Sequence, residues 1–212
     1  MKFYVAIYFI ICSAFYHQHA SAPSPLAEYS SEWNDPKYLK CNTAANAGYM
    51  SASEKEVIYI LNLARTNPSL FANTVIKQYP GKTGKLNLNK SNYYYSSLLD
   101  TMKSLRQINL LYPDSLCYVS ANCHAVNSGK EGYVGHERST AECKKKKYFS
   151  GECCSYGSSK PLEIVMSLLI DEDTPSLGHR FLLLCSFPRI GVSIQPHKTY
   201  GTDAVIDFTY RE

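Results

Sequence analysis

Two histidines and two acidic residues in the second half of the chain carry the side chains that a metal site or an acid/base site needs. His136, Glu152 and His179 each follow a glycine, and Asp171 ends an apolar run. Imidazoles and carboxylates are common ligands of divalent metals, and they also act as general acids and bases. The sequence therefore predicts one of these two kinds of site, provided that the fold brings the four side chains together.

Length and charge limit the class of protein. The chain has 212 residues and a formal net charge of +4. This length is sufficient for one domain with a sizeable core. The charge is far from the dense basic face that is typical of nucleic-acid-binding proteins, so we expect no nucleic-acid partner.

A secretory signal peptide is predicted over residues 1–22. Lys2 is followed by an apolar run from Phe3 to Tyr16 and then by Ala20-Ser21-Ala22, which has the A-x-A form of a cleavage site. The apolar run is too short to span a bilayer comfortably. Cleavage after Ala22 would leave Pro23 first, which signal peptidases disfavour, so the exact cut and retention as an anchor stay open. We expect a secreted, extracellular protein.

Cysteine usage agrees with this compartment. Seven of the eight cysteines lie outside residues 1–22, and in an oxidising environment we expect most of them to pair. Cys153 and Cys154 are adjacent, so each is expected to pair elsewhere and to pin the loop around Glu152. The chain contains no C-x-x-C pair, which argues against a structural zinc finger.

The first half of the chain is predicted to be mainly helical. Residues 23–48 lack periodicity and are expected to form an extended arm ahead of one domain at residues 49–212. Ser51 and Glu54 form a capping box that starts the first helix. Pro68 starts a second helix, which gives way to a loop at Pro80. Amphipathic spacing predicts a third helix around residues 98–105.

A fourth helix is predicted after Asp114, ending near Gly129. It carries His124, which we interpret as a buried structural histidine rather than a ligand. The apolar positions of its buried face are expected to be Leu116, Val119, Cys123 and Val126.

The second half of the chain changes from helix to strand. Residues 129–150 are predicted to be a loop, with a lysine run at 144–147 that suits either membrane contact or a solvated edge. A helix begins at Pro161 and ends near Asp171. Residues 190–194 and 204–210 alternate between apolar and polar side chains, as two antiparallel strands do. Helices followed by strands indicate an α+β fold.

The order of these segments resembles the CAP superfamily, which comprises cysteine-rich secretory proteins, antigen-5-type allergens and plant pathogenesis-related proteins with bacterial relatives. The resemblance extends from Ser51 to Phe208, and Gly178-His179-Arg180 with the apolar residues after it is closest to the bacterial branch. It implies a three-layer α–β–α sandwich of the CAP/SCP type, with a helical N-terminal half and an antiparallel sheet.

The resemblance also implies roles for the four polar residues. His136 and His179 would be ligands of a divalent metal such as Zn²⁺ in one central cleft. Glu152 and Asp171 would orient them or hold a water, as carboxylates behind metal ligands do.

The chain departs from the family pattern in three places. The usual Gly-Glu-Asn is here Gly-Glu-Cys-Cys, the aromatic-rich signature around the second histidine is missing, and so is the closing Cys-Asn-Tyr motif. Asp171 stands where the family often has glutamate, and its neighbours Glu172 and Asp173 are alternatives for that role.

Three functional hypotheses follow from the resemblance and the residues. The first is a secreted binding or effector module whose partners are a cation and a sterol, a lipid or a host surface component. The second is a metal-dependent hydrolase that acts through the same cleft. The third is a structural domain with a vestigial cleft. Zinc enzymes usually have three protein ligands, and the sequence offers two histidines, so we expect binding rather than catalysis.

Overall fold

The computed structural model describes residues 23–211, so the predicted signal peptide lies outside the described residues. Two short 3-10 helices at Ser31–Asn34 and Pro36–Cys41 precede the main elements. These elements are, in chain order, α1 Ala52–Thr66, α2 Pro68–Phe71, a π-helical segment Ala72–Ile76, α3 Lys77–Thr83, α4 Tyr93–Ser104, β1 Tyr112–Pro113, α5 Ser115–Glu131, α6 Ala141–Lys146, β2 Gly151–Tyr156, α7 Pro161–Ile170, α8 Gly178–Leu184, β3 Arg189–His197 and β4 Gly201–Thr209.

The strands form one mixed sheet that is covered on both faces. Its order is β1-β3-β4-β2, with β3 and β2 antiparallel to β4 and the short β1 parallel to β3. Helix α5 packs on one face, and α1, α7 and α8 pack on the other. This arrangement confirms the predicted α+β, three-layer α–β–α fold. Strand β2 lies at one edge of the sheet. The segment around Glu152, which was predicted to be a loop, belongs to this strand.

The capping box of α1 is confirmed and also ties the helix to the sheet. The Glu54 backbone N–H donates to the Ser51 hydroxyl at 3.3 Å, and the Ser51 N–H donates to Glu54 Oε2 at 2.7 Å. The second carboxylate oxygen, Oε1, accepts the Ile194 N–H of β3 at 2.9 Å. One side chain therefore satisfies groups at the helix start and in the neighbouring layer.

The position of helix α5 along the chain is predicted correctly, but its buried face and its last residue are not. Leu116 and Val119, which were expected inside, are 54% and 40% exposed. Small and polar side chains face the sheet instead, because the helix backbone approaches it too closely for large ones. A Cβ added at Gly191 of β3 would lie 2.1 Å from the Tyr118 backbone nitrogen. The helix also continues beyond Gly129 to Glu131, and the loop expected from Pro80 begins only at Gly84.

Residues 23–48 are not the extended arm that the sequence predicts. Their 3-10 helices place Trp33 and Tyr38 in the main core, where both side chains are almost fully buried. Trp33 Nε1–H donates to the Thr74 hydroxyl at 3.1 Å. Apolar residues at irregular spacing can bury their surface without the periodicity of a helix or strand, which is why the sequence pattern missed this packing.

The cysteines pair less than predicted. Among the described residues, the one disulfide joins Cys123 of α5 to Cys143 of α6. Cysteines outside this bond are free thiols at positions 41, 117, 153, 154 and 185. Cys153 and Cys154 are consecutive in a strand, so their side chains point to opposite faces of the sheet. Pairing of β2 with β4, rather than disulfides, fixes the position of Glu152.

None of the helices within residues 23–211 is long and apolar enough to cross a membrane.

Candidate functional site

His136 is held by a buried carboxylate on the edge strand. Glu152 of β2, whose side chain is 2% exposed, accepts the His136 Nδ1–H at Oε1 over 2.8 Å. Arg138 Nη1 donates to the same oxygen at 2.8 Å, and Arg138 Nη2 contacts Oε2. An ionised carboxylate only accepts hydrogen bonds, so the His136 proton lies on Nδ1. The ring nitrogen Nε2 is left available for a metal or a proton.

The neighbouring carboxyl groups of Glu152 and Asp207 have pKa values that are shifted in opposite directions. Burial opposes ionisation of Glu152, but the hydrogen bonds from His136 and Arg138 outweigh it and lower its pKa. Asp207, its partner in β4, has a pKa raised well above the usual range by burial and by the Glu152 charge. The hydrogen bond to Glu152 raises the pKa of His136, although burial acts against it.

A second histidine and carboxylate pair lies between α7 and α8. Asp171 ends α7 in the left-handed conformation, with φ of 57°. Its Oδ1 accepts the His179 Nδ1–H at 2.7 Å, and its Oδ2 accepts the backbone N–H groups of His179 at 2.9 Å and Arg180 at 3.2 Å. A carboxylate at the start of a helix is stabilised by the unpaired N–H groups there. His179, like His136, keeps Nε2 available.

Arg180 fixes the position of α8. Its buried guanidinium donates to the carbonyl oxygens of Leu169 at 2.6 Å and Ile170 at 2.8 Å, both at the end of α7. It also donates to the Ser97 hydroxyl at 2.9 Å and the Tyr94 carbonyl at 2.8 Å, both in α4. Three helices are therefore joined at one side chain directly after His179.

The two pairs lie on either side of β2. Cys154, and by strand alternation Glu152, face α5, where Cys154 packs with Ala121 and Val205. Cys153 faces the main core, and its Sγ lies 3.9 Å from the His179 carbonyl oxygen. Within residues 23–211, hydrogen bonds and ion pairs join each histidine to its own acid and not to the other pair. Convergence of both histidines on one metal stays a prediction.

Two polar residues around Glu152, Arg138 and Asp207, have no role in the sequence predictions. Arg138 lies two residues after His136, and Asp207 is a polar position of the alternating pattern at residues 204–210. The second face of β4 is buried as well, because α5 covers it, so Asp207 is 0% exposed. His124 agrees with its interpretation as a buried histidine: Nε2 lies 2.8 Å from the Gly135 carbonyl oxygen, and burial lowers its pKa. Asp203, Asp207 and Thr209, which share one face of β4, were the available signal.

Cys154 joins His124 and Glu152 in a compact group of potential metal ligands. One ligand atom from each residue lies within 4.8 Å of the others, and all three residues are buried. We call these three residues the buried donor cluster.

An apolar groove lies beside His179. It has a volume of about 460 Å³. We call it the α8 groove, and its lining comprises Thr101, Leu105, Ser176, Leu177, Arg180, Phe181, Leu184 and Cys185. Phe181 is 67% exposed, which is unusual for a large aromatic side chain.

Comparisons with known proteins assign no family to this chain. No protein-family model matches the chain, and no curated protein matches it. Among solved structures, an outer surface protein of Borrelia burgdorferi aligns with a TM-score of 0.41 and 21% sequence identity, over 56% of this chain and 90% of that protein.

The raised pKa of His136 predicts pH-dependent stability. The folded state binds the His136 proton more tightly than the unfolded state, so the ion pair with Glu152 stabilises the fold below about pH 6.5. This contribution is lost as the pH rises through the raised pKa of His136. Urea unfolding with a chelator present should show the free-energy difference between wild type and His136→Gln shrinking as the pH rises. The exposed neighbour Glu137 provides a control, since Glu137→Gln should largely keep the wild-type dependence. A wild-type advantage that is constant over this range would contradict the assignment.

Proposed function

We propose that the protein is a secreted binding module of the CAP type, which takes a divalent metal at its two histidines and an apolar ligand in the α8 groove. The order of the His136, Glu152, Asp171 and His179 segments supports this family, and the α–β–α sandwich agrees with it. The disulfide between Cys123 and Cys143 agrees with an extracellular location.

The observation that carries the metal proposal is the same in both pairs: a buried carboxylate binds Nδ1 of a histidine and leaves Nε2 free. This arrangement is typical of histidines that ligate metals, because the carboxylate fixes the tautomer and makes the ring a stronger donor. The donor set fits Zn²⁺, which binds imidazole nitrogen well. His136 and His179 would hold the ion, Glu152 and Asp171 would orient them, and the metal would supply a Lewis acid.

Binding is favoured over hydrolysis by the number of ligands. Zinc enzymes usually combine three protein ligands with an open position for water, whereas this proposal uses two histidines. The acids are occupied as well: Glu152 by Arg138, and Asp171 by the N–H groups at the start of α8. Neither is free to act as a general base.

The chemistry of the second ligand follows from the α8 groove. Its apolar side chains favour a lipid tail or a sterol, which would cover Phe181. The lysines at positions 144–147 are exposed on and after α6, so contact with an anionic membrane or host surface is part of the proposal.

Zinc calorimetry tests the metal proposal near neutral pH. The parent for the titration is Cys154→Ser, so that the buried thiol 3.7 Å from His136 Nδ1 cannot contribute to zinc binding. We expect this parent to bind zinc, and His136→Ala or His179→Ala to weaken binding by at least about 10-fold each. Similar losses in both variants would show that one ion uses both histidines. Unchanged affinity after removal of both would overturn the proposal.

Binding of a fluorescent fatty acid and a fluorescent sterol tests the α8 groove. Burying Phe181 against the probe should contribute about 1.5–3 kcal/mol, so Phe181→Glu should weaken binding by about 10- to 100-fold. Leu116→Glu is the matched control, because Leu116 is similarly exposed on α5 at the other side of the sheet. Equal losses in both variants, or no binding to the wild type, would contradict an apolar ligand in this groove.

A further inference from the structure

The buried donor cluster is distinct from the outward nitrogens of His136 and His179. Strand alternation places Glu152 and Cys154 on the same face of β2, and His124 faces them from α5. All three are buried: His124 is 2% exposed, Glu152 7% and Cys154 8%. They supply nitrogen, oxygen and sulfur, and all three elements are common ligands of zinc.

A second buried carboxyl group, Asp207, lies beside the buried donor cluster, and Arg138 is close to both Asp207 and Glu152. Arg138 Nη2 lies 3.6 Å from Asp207 Oδ2, while both side-chain oxygens of Asp207 lack a hydrogen-bond partner within the described part of the chain. Asp207 is completely buried and directly opposite Glu152 in the sheet. Buried polar atoms without partners are costly. The guanidinium of Arg138 is shared between these two buried carboxyl groups.

Each donor has a lone pair to give. Glu152 Oε1 is engaged by His136 and Arg138 and Oε2 by Arg138 Nη2, so zinc would share this carboxylate with the guanidinium. His124 Nε2–H donates to the Gly135 carbonyl oxygen at 2.8 Å, which leaves the lone pair of the neutral ring on Nδ1. Cys154 is a free thiol rather than half of a disulfide.

We propose that His124, Glu152 and Cys154 form a buried zinc site that joins α5 to the edge strand β2. On binding, the Cys154 S–H bond breaks, a sulfur–zinc bond forms, and the proton leaves to solvent. His136 lies on the access path, because its Nδ1 is 3.7 Å from Cys154 Sγ and its side chain is 53% exposed. The site needs no C-x-x-C motif, since its ligands come from two elements. It would act as a cross-link that α5 and β2 otherwise lack.

X-ray absorption at the zinc edge tests this proposal on His179→Ala, which removes a ligand of the outer metal and leaves the cluster intact. One equivalent of zinc should show a single sulfur neighbour at about 2.3 Å and nitrogen or oxygen neighbours at about 2.0–2.2 Å. A shell of nitrogen and oxygen alone would overturn the buried site while leaving the proposed histidine site standing. Failure to bind zinc would also overturn it.

Two cysteine variants identify the sulfur. In the His179→Ala background, Cys154→Ser should lose the sulfur neighbour and weaken zinc binding by at least about 10-fold. Cys153→Ser is the matched control, because this buried neighbour faces the main core, and it should keep both. Should Cys154→Ser fail to fold, alkylation followed by mass spectrometry gives the same answer without that variant: zinc should slow modification of Cys154 by at least about 10-fold. A sulfur neighbour that persists in Cys154→Ser, or equal alkylation with and without zinc, would contradict the assignment.

Discussion

The buried ion pair between Arg138 and Glu152 is the interaction on which the site depends. Both side chains are 2% exposed, and the guanidinium contacts both carboxylate oxygens. It also donates to the His136 carbonyl oxygen at 2.9 Å, so it holds the loop before α6 against the edge strand. Removing one member of a buried pair typically costs about 3–5 kcal/mol, because the other charge is left uncompensated. The main effect of the ion pair is therefore to fix the position of His136, and its net contribution to the free energy of unfolding is small.

This pair requires a sheet that is covered on both faces. Close approach of α5, which depends on Gly191 and on small residues of the helix, excludes water from the face that carries Glu152 and Asp207. Exclusion of water strengthens the attraction between the charges and raises the cost of each unpaired group. On the opposite face, Asp171 and Arg180 connect α7 and α8 by hydrogen bonds to backbone groups. Each histidine is therefore positioned by an acid that the fold itself keeps in place.

The parts of the fold that follow local rules could be predicted from the sequence. The capping box at Ser51, the helix that begins at Pro161 and the alternating strands β3 and β4 are all confirmed. Each is encoded by residues only a few positions apart. The four site residues came from the family resemblance, and the structure adds which acid contacts which histidine.

The remaining features depend on contacts between distant segments. Strand β2 is buried along nearly its whole length and therefore shows no alternation, so Gly151 to Tyr156 was taken for a loop. The buried face of α5 is polar because it meets Asp203 and Asp207, which only the folded sheet reveals. The number of disulfides was overestimated. An oxidising compartment favours disulfides in general, but it does not predict which cysteines lie close enough to form one.

The central claim, that the Arg138–Glu152 pair couples the His136 loop to the sheet, is tested most directly by a double-mutant cycle. Arg138→Met, Glu152→Met and the double variant would be compared with the wild type by urea unfolding. Each single variant should lose about 3–5 kcal/mol, and the double variant should be more stable than either, because it buries no lone charge. The exposed pair Glu142–Lys146 serves as the control cycle and should show a much smaller coupling, because water and salt screen its charges. Additive losses at Arg138 and Glu152 would contradict the claim.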